Sequence, residues 1–481
     1  MKKIFIIILP ILIAGCSNAK YLSGEEVLQP LNISIPEEWG TISGIEISSK
    51  EIWWAEFNDN NLISFIESFK ANNLDLKSSM ISVQNASLAS KITSASLLPS
   101  IGLQSVGSKS EQNTAGFPPF FQDLFGTQSS GQLTSFEQEN YNLSLTAQWE
   151  IDLWGKVFNQ SLASKMEYLS AKYSQNYYEL SLTAEAIKLF YGMVELQKSL
   201  ERSEVKLKNM TTLYELSYQR FNQGSISEKQ LKQVEILVAQ TNTEYENIRS
   251  GYNGLIRNTK ILQSMFPVIE SEQIKKDFPE SLPAIPSYIP SEIIQRRPDL
   301  LSARFALLSS LQKKKVATKQ LLPSFNLIGS NGTASNDLND LLDEDFKVWS
   351  GSISLFAPIF NSGRLINNRK LAKNNTEIAM YNYMSKVLAA YAEVETALEM
   401  DRIAQIALNE SKKIVQATEK IYNITLNEYQ QGIVGFEEIL SQENRLSDVK
   451  IYLAQSEKMR IEKRINLILA LGGGFRFETK R

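Results

Sequence analysis

Residues 141–152, YNLSLTAQWEID, alternate without a break. Tyr141, Leu143, Leu145, Ala147, Trp149 and Ile151 fall on one parity, and Asn142, Ser144, Thr146, Gln148, Glu150 and Asp152 on the other. Period two marks a β-strand with one apolar and one polar face. A second run sets Trp349, Gly351, Ile353 and Leu355 against Ser350, Ser352 and Ser354. Partner strands begin at Ile101-Gly102-Leu103 and Phe325-Asn326-Leu327, each after a Leu-Leu-Pro-Ser bend at 97–100 and 321–324. Strands are expected over 99–108, 140–152, 323–333 and 348–357.

Elsewhere the period lengthens. Tyr173, Tyr177, Leu180, Ala184, Ile187, Tyr191 and Val194 step by four and three, as do Met380, Met384, Val387, Tyr391, Val394 and Leu398. That spacing is the seam of coiled-coil-like helices, so both stripes read as helix-packing surfaces. Proline is absent from 120–266 and 359–481, and the 68 residues between Gly363 and Gly432 hold neither Gly nor Pro. Inside a helix these cost about 1 (Gly) and about 3 kcal/mol (Pro), so their absence permits long helices. Helices are expected over 156–222, 226–266, 363–430 and 434–471. The first would measure about 100 Å at about 1.5 Å per residue, too long for a compact domain, so it should protrude.

The chain repeats itself. Gly155-Lys156 matches Gly363-Arg364, and Phe221-Asn222-Gln223-Gly224 matches Tyr429-Gln430-Gln431-Gly432 at the same offset. Each half reads helix, strand, loop, strand, long helix, tight Gly turn, helix. Repeat 1 is expected over 53–266 and repeat 2 over 299–471, joined by a Pro-rich connector, 267–298, and followed by a tail, 472–481. The connector's spaced prolines forbid a continuous helix.

Residues 1–15 read as a signal peptide, with Lys2 and Lys3 before the apolar run Ile4–Ile13. They end Ile13-Ala14-Gly15-Cys16, which resembles a bacterial lipobox. Diacylglycerol and fatty acyl groups on Cys16 would then anchor an extension, 16–52, because stable anchoring takes more than one chain. Cys16 is the only cysteine among 481 residues and there is no histidine. Ser-His-Asp and Cys-His triads, HExxH zinc sites, histidine-ligated haem and intrachain disulfides are excluded. A net charge of −3 gives no reason to expect a nucleic-acid partner. No window after residue 15 supplies the roughly 20 apolar residues of a membrane helix.

The alternating strands fit an ordinary half-exposed sheet or a lipid-facing barrel wall with a wet lumen. The lipobox and the long helices favour the barrel. Four strands cannot close one, since about eight is the minimum and lipid tolerates no open edge. The barrel reading therefore requires an oligomer of two, three or four chains.

Six motifs in order carry a family resemblance: Trp53-Trp54-Ala55-Glu56-Phe57, Asn73-Leu74-Asp75-Leu76, Trp149 to Lys156, Arg296-Arg297-Pro298-Asp299-Leu300, Pro358-Ile359-Phe360 and Ala470 to Gly474. They resemble the outer membrane factor family of TolC-like efflux channels, in its OprM/NodT lipoprotein branch. The resemblance implies an α+β membrane protein and a homotrimer. Its 12-stranded β-barrel would sit in the outer membrane of a Gram-negative bacterium, continued by a long α-helical periplasmic barrel. It also implies a passive exit duct for drugs or other small molecules in a tripartite efflux pump, without enzymatic activity, metal or bound cofactor. The partners would be a periplasmic adaptor (membrane fusion protein), an RND-type inner-membrane transporter and outer membrane lipid.

In that family the Gly turns lie at the periplasmic tip, so Gly224 and Gly432 would meet the adaptor. Tyr429 matches a gate tyrosine, and Gln230 stands where its usual partner is Asp. Glu438, with Glu437 beside it, partly keeps an acidic ring, while Ser441 replaces a second acid. The ordinary alternative makes Glu437 and Glu438 solvated helix-start acids. Pro298 should start a helix with Asp299 in its first turn, the arginines bracing the tunnel. Gly472–Gly474 lack the rest of a phosphate loop. The loop 107–140 carries an apolar island, 117–125, read as packing between protomers, narrowing the pore or entering the outer leaflet. A secretion duct and, less favoured, a metal-efflux duct share the same architecture. A poreless coiled-coil lipoprotein is disfavoured by the strands.

Overall fold

A computed structural model describes residues 53–113, 135–269, 277–283, 285 and 296–473. The leader, Cys16, the extension to residue 52, the island 117–125 and the tail from 474 lie outside these residues. After a 3-10 turn at Trp53–Phe57 come α1 (Asn60–Asn72), α2 (Leu74–Ala95), β1 (Ser100–Asn113), β2 (Ser135–Ile151), α3 (Lys156–Asn222), α4 (Glu228–Leu262), α5 (Pro298–Lys319), β3 (Ser324–Ser335), β4 (Lys347–Phe356), α6 (Arg364–Gln430) and α7 (Phe436–Ala470). The expected class, four strands and very long helices in two similar halves, is the one observed.

The described residues form two compact units. One takes 53–82, 172–304 and 382–473 and is built from helices. Trp53, Phe57, Leu62, Ile66 and Phe69 pack there against Leu180, Ile187, Tyr191 and Val194 of α3 and Ile461, Ile465 and Ile468 of α7. Each such aliphatic or Phe side chain contributes about 1.5–3 kcal/mol on burial. Asn73 interrupts α1 and α2 without leaving either open. Its Oδ1 accepts from Leu76 N–H at 2.8 Å, and its Nδ2 donates to the last carbonyl of α4, Leu262 O, at 2.9 Å. The stripe expected on α3 is buried from Leu180 onward. On α6 the buried line is Tyr383, Val387, Ala390, Val394 and Leu398, with Met384 only half-buried beside it. The 3.5-residue spacing fits both lines, so period alone placed the centre of the face one position away.

The other unit takes 83–171 and 305–381 and contains one antiparallel sheet in the order β1-β2-β3-β4. Trp149 Nε1 donates to Leu97 O at 3.0 Å and Trp154 Nε1 to Pro323 O at 2.7 Å, so the two indoles fix the two Leu-Leu-Pro-Ser bends. The first hairpin is longer than expected. Residues 108–113 pair with 135–140, inside the stretch read as loop. Apart from Phe136 both faces are polar there, so the sequence shows no alternation to mark a strand. Cross-strand contacts hold it: Lys109 to Glu137 at 2.6 Å and to Glu139 at 3.1 Å, and Ser135 Oγ donating to Glu111 at 2.5 Å.

Candidate functional site

The ladder registers run without a slip, so side chains of one parity share a face across all four strands. One face collects Ile101 and Leu103 of β1, Leu143 to Ile151 at odd positions of β2, Phe325 and Leu327 of β3, and Trp349, Ile353 and Leu355 of β4. This face is uncovered: Ile101 is 71%, Leu103 72%, Ile353 72% and Trp349 82% exposed. The other face is Ser, Thr, Asn, Gln and Gly with a few apolar residues, and Glu150 is its sole charge. Lys109, Glu111, Glu137 and Glu139 lie on the first face beyond the apolar band, and Lys347 lies at its edge, level with Leu143 through Thr333. From Leu143 to Ile151 the band spans about 20 Å, at about 3.3 Å per residue and a tilt of about 40°. That approaches the apolar belt of about 25 Å that a barrel turns to lipid. β1 and β4 are the two unpaired edges of this sheet.

In the helical unit the chain reverses twice through matching turns. Ser225 N–H donates to Arg220 O and Gly224 N–H to Phe221 O, both at 2.8 Å. Ile433 N–H donates to Glu428 O at 2.8 Å and Gly432 N–H to Tyr429 O at 2.9 Å. Both are Schellman closures, which need a left-handed residue after the helix. Gly224 (φ 72°) and Gly432 (φ 75°) supply it. Residues 223–225 and 431–433 are exposed.

The other expected gate residues fall as follows. Tyr429 packs on Phe436, ring centroids 5.8 Å apart. Glu437 and Glu438 occupy the first turn of α7. Glu437 forms an ion pair with Arg220 at the end of α3, and Glu438 accepts from Gln442 Nε2 at 2.8 Å. Gln230 is occupied within its own hairpin. Its Oε1 accepts from Ser227 N–H at 2.9 Å while Ser227 Oγ accepts from Gln230 N–H at 3.3 Å, a capping box at the start of α4. Tyr429, Glu437 and Glu438 thus share the second hairpin, and Gln230 caps the first. Sequence reasoning missed Arg220. Its counterpart in the second repeat is Glu428, and its actual partner, Glu437, follows only from the way the two hairpins pack.

Among the described residues Arg297 is the most enclosed charge, 2% exposed. It binds Asp299 at 2.9 and 3.0 Å, Glu393 at 2.7 Å and Ala470 O at 3.0 Å. Burial works against its charge, but the bonds and charges of Asp299 and Glu393 outweigh it and hold the guanidinium pKa above its ordinary value. Pro298 and Asp299 do open α5. At Gly472 an added Cβ would meet Arg297 Cα at 3.2 Å, so the glycine permits this close approach rather than a phosphate loop.

The chain matches the outer membrane efflux protein family over residues 65–253 and 289–473. It is 25% identical to the cation efflux system protein CusC of Escherichia coli K12, over 96% of this chain and 97% of CusC. It is 24% identical to the antibiotic efflux pump outer membrane protein ArpC of Pseudomonas putida, over 97% and 94% of the two chains. The structure of the Campylobacter jejuni CmeC outer membrane channel superposes with a TM-score of 0.80 at 24% identity, over 92% of this chain and 93% of CmeC.

Proposed function

The chain belongs to the outer membrane efflux protein family, and from that premise we propose that three copies build the exit duct of a tripartite pump. It is an outer membrane channel of the efflux class, not an enzyme. The observation that carries the proposal is the sheet: one apolar, uncovered face, one nearly uncharged face and two unpaired edges. In lipid such edges must be closed. Joining β4 of one copy to β1 of the next in a homotrimer gives twelve strands, with the apolar face toward lipid and the polar face toward a wet lumen. Acyl chains on Cys16 anchor the chain to outer membrane lipid. Gly224 and Gly432 present the hairpin tips to a periplasmic adaptor, which couples the duct to an RND-type inner-membrane transporter. Tyr429, Glu437 and Glu438 narrow the tip, and Gln230 holds the first hairpin rigid beside them.

The cargo is drugs or other small molecules. Relatives of similar identity are named for antibiotic, cation and pyoverdine export, which fits a duct whose cargo is chosen by the pump that loads it. The likeness to CusC keeps cation efflux as the second reading. The test is retention of a fluorescent efflux dye in cells lacking this chain, with secreted proteins compared in the same cultures. Faster dye accumulation with unchanged secretion supports the proposal. Normal dye handling with a missing secreted protein replaces it with a secretion duct. Normal dye handling with hypersensitivity to a transition-metal salt replaces it with cation efflux.

A further inference from the structure

At the foot of the sheet, inside the strand-bearing unit, lies a cavity of about 460 Å³. Its lining includes Glu150, Ser324 and Phe356, which the register places on the polar face. Because that face bears no other charge, the charges of this cavity are the first that a molecule on it meets. They are Lys156, Lys319 and Arg364 against Glu150 and Asp152. Both carboxylates are engaged. Glu150 pairs with Lys156 at 2.6 Å, and Asp152 accepts from the Phe158 N–H at 2.7 Å.

Among the described residues, two cations are left without a carboxylate in contact. Lys319 Nζ donates to a neutral oxygen, Gly155 O, at 3.2 Å. Burial lowers its pKa and Lys315 adds to the lowering, while Asp152 offsets only part. Arg364 is exposed, and its guanidinium has no hydrogen bond or ion pair among the described residues. The neighbouring wall is apolar: Trp154, Phe356, Ile359 and Phe360, of which Ile359 is 97% and Phe360 85% exposed. Uncompensated cations beside an uncovered aromatic shelf complement an anionic headgroup on an apolar body. A guanidinium takes carboxylate, sulfonate or phosphate oxygens in a two-pronged, charge-assisted bond.

We propose that this cavity is a binding station for amphipathic organic anions. The anionic group sits on Lys319 and Arg364, and the apolar body lies against Trp154, Phe356 and Phe360. The proposal rests on the duct reading, in which the polar face lines the lumen and passing cargo reaches the cavity.

The probe is naphthalene-2-sulfonate, and its neutral counterpart is naphthalene-2-sulfonamide. Quenching of tryptophan fluorescence reports binding to the full chain in uncharged detergent, with Trp154→Phe identifying the reporting residue. Sulfonate should bind at least about tenfold more tightly than sulfonamide, as expected for one charge-assisted bond, and lose affinity as salt is raised. Arg364→Gln and Lys319→Gln should each weaken sulfonate binding by about tenfold and leave sulfonamide unchanged. Arg364 is exposed and unpaired, so Arg364→Gln should keep the wild-type melting curve even if Lys319→Gln does not. Equal affinity for the two probes, or unchanged sulfonate binding in Arg364→Gln, overturns the site. Block of single-channel current by sulfonate is measured separately in planar bilayers. Binding without block overturns the lumenal placement and leaves the site standing.

Discussion

Arg220 closes α3 and Glu437 opens α7, so their ion pair ties the first hairpin to the second. Both side chains are 47% exposed, so the contact is worth about 0.2–1 kcal/mol rather than the several of a buried pair. In the proposed trimer it recurs three times. If opening the tip separates all three, at about 0.5 kcal/mol each they favour the closed form by about 1.5 kcal/mol, a bias of about tenfold. Glu437→Gln keeps the shape and removes the charge. Its open probability in planar bilayers should rise about tenfold. Wild type should approach the variant as salt rises from about 0.1 to about 1 M, because the screening length falls from about 10 to about 3 Å. The variant should lose most of that salt dependence, and the exchange Arg220→Glu with Glu437→Arg should restore closure. A Glu437→Gln channel as closed as wild type, or wild-type opening that ignores salt, refutes the reasoning.

Glu438→Lys should weaken block of the channel current by divalent cations, and unchanged block removes Glu438 from the gate. Arg297→Ala strands the largely buried Asp299 and a buried carbonyl, while Glu393, 55% exposed, turns to water. It should cost about 3–5 kcal/mol, read as a lowered thermal midpoint by circular dichroism, with Lys a poor substitute because it lacks the planar fork. Gly432→Ala meets no neighbouring atom but must hold a φ of 75°. It should loosen the tip by about 1–2 kcal/mol, seen as faster amide exchange over 428–436, with Asn costing less. Burial raises the Glu195 pKa, the Ser199 bond and Lys458 opposing it. A raised folded pKa gives stability that is present below the unfolded pKa, about 4.3, and lost as pH rises through the folded value. Glu195→Gln should therefore gain on wild type in melting temperature as pH rises above about 4.3, and a constant difference would contradict the burial argument.

What the sequence disclosed depended on whether the energetics were local. Alternation from Tyr141 to Ile151 was legible because one face is apolar throughout, and the same parity fixed the register across four strands. The continuation at 108–113 and 135–140 was not legible. There the ladder rests on backbone pairing and ion pairs such as Lys109 with Glu137, which leave no hydrophobic period. The Schellman glycines were legible from the repeat. The capping box, Ser227-x-x-Gln230, occurs in the first half alone, so the repeat does not mark it, and the expectation for Gln230 concerned only the gate. Tyr383 was missed as a core residue because it lies between two methionines that fit the same spacing. Its burial pushes the phenol up to about 12, the Arg304 charge opposing, and its hydroxyl has no hydrogen-bond partner among the described residues.

The two hairpins share a closure and differ in how the next helix starts. After Gly224 the start of α4 is held by neutral, reciprocal hydrogen bonds between Ser227 and Gln230. After Gly432 the N-cap is Gly435, which makes no side-chain bond. A glycine cap gives up a few tenths of a kcal/mol against serine, and the missing return bond adds to that loss. Glu437 and Glu438 compensate electrostatically. Acids in the first turn contribute about 0.3–1 kcal/mol each at low ionic strength, and Glu437 also reaches Arg220. The start of α4 therefore adds to its first-turn acid Glu228 a capping box that salt does not screen, whereas the start of α7 relies on charges that salt screens strongly. Of the two, the second is the one whose position ionic conditions can shift, and it also carries Tyr429 and the exposed Ile433. On the proposed reading of this tip as the gate, a response to ions requires no dedicated metal site, because the two carboxylates at the start of α7 carry part of its closure.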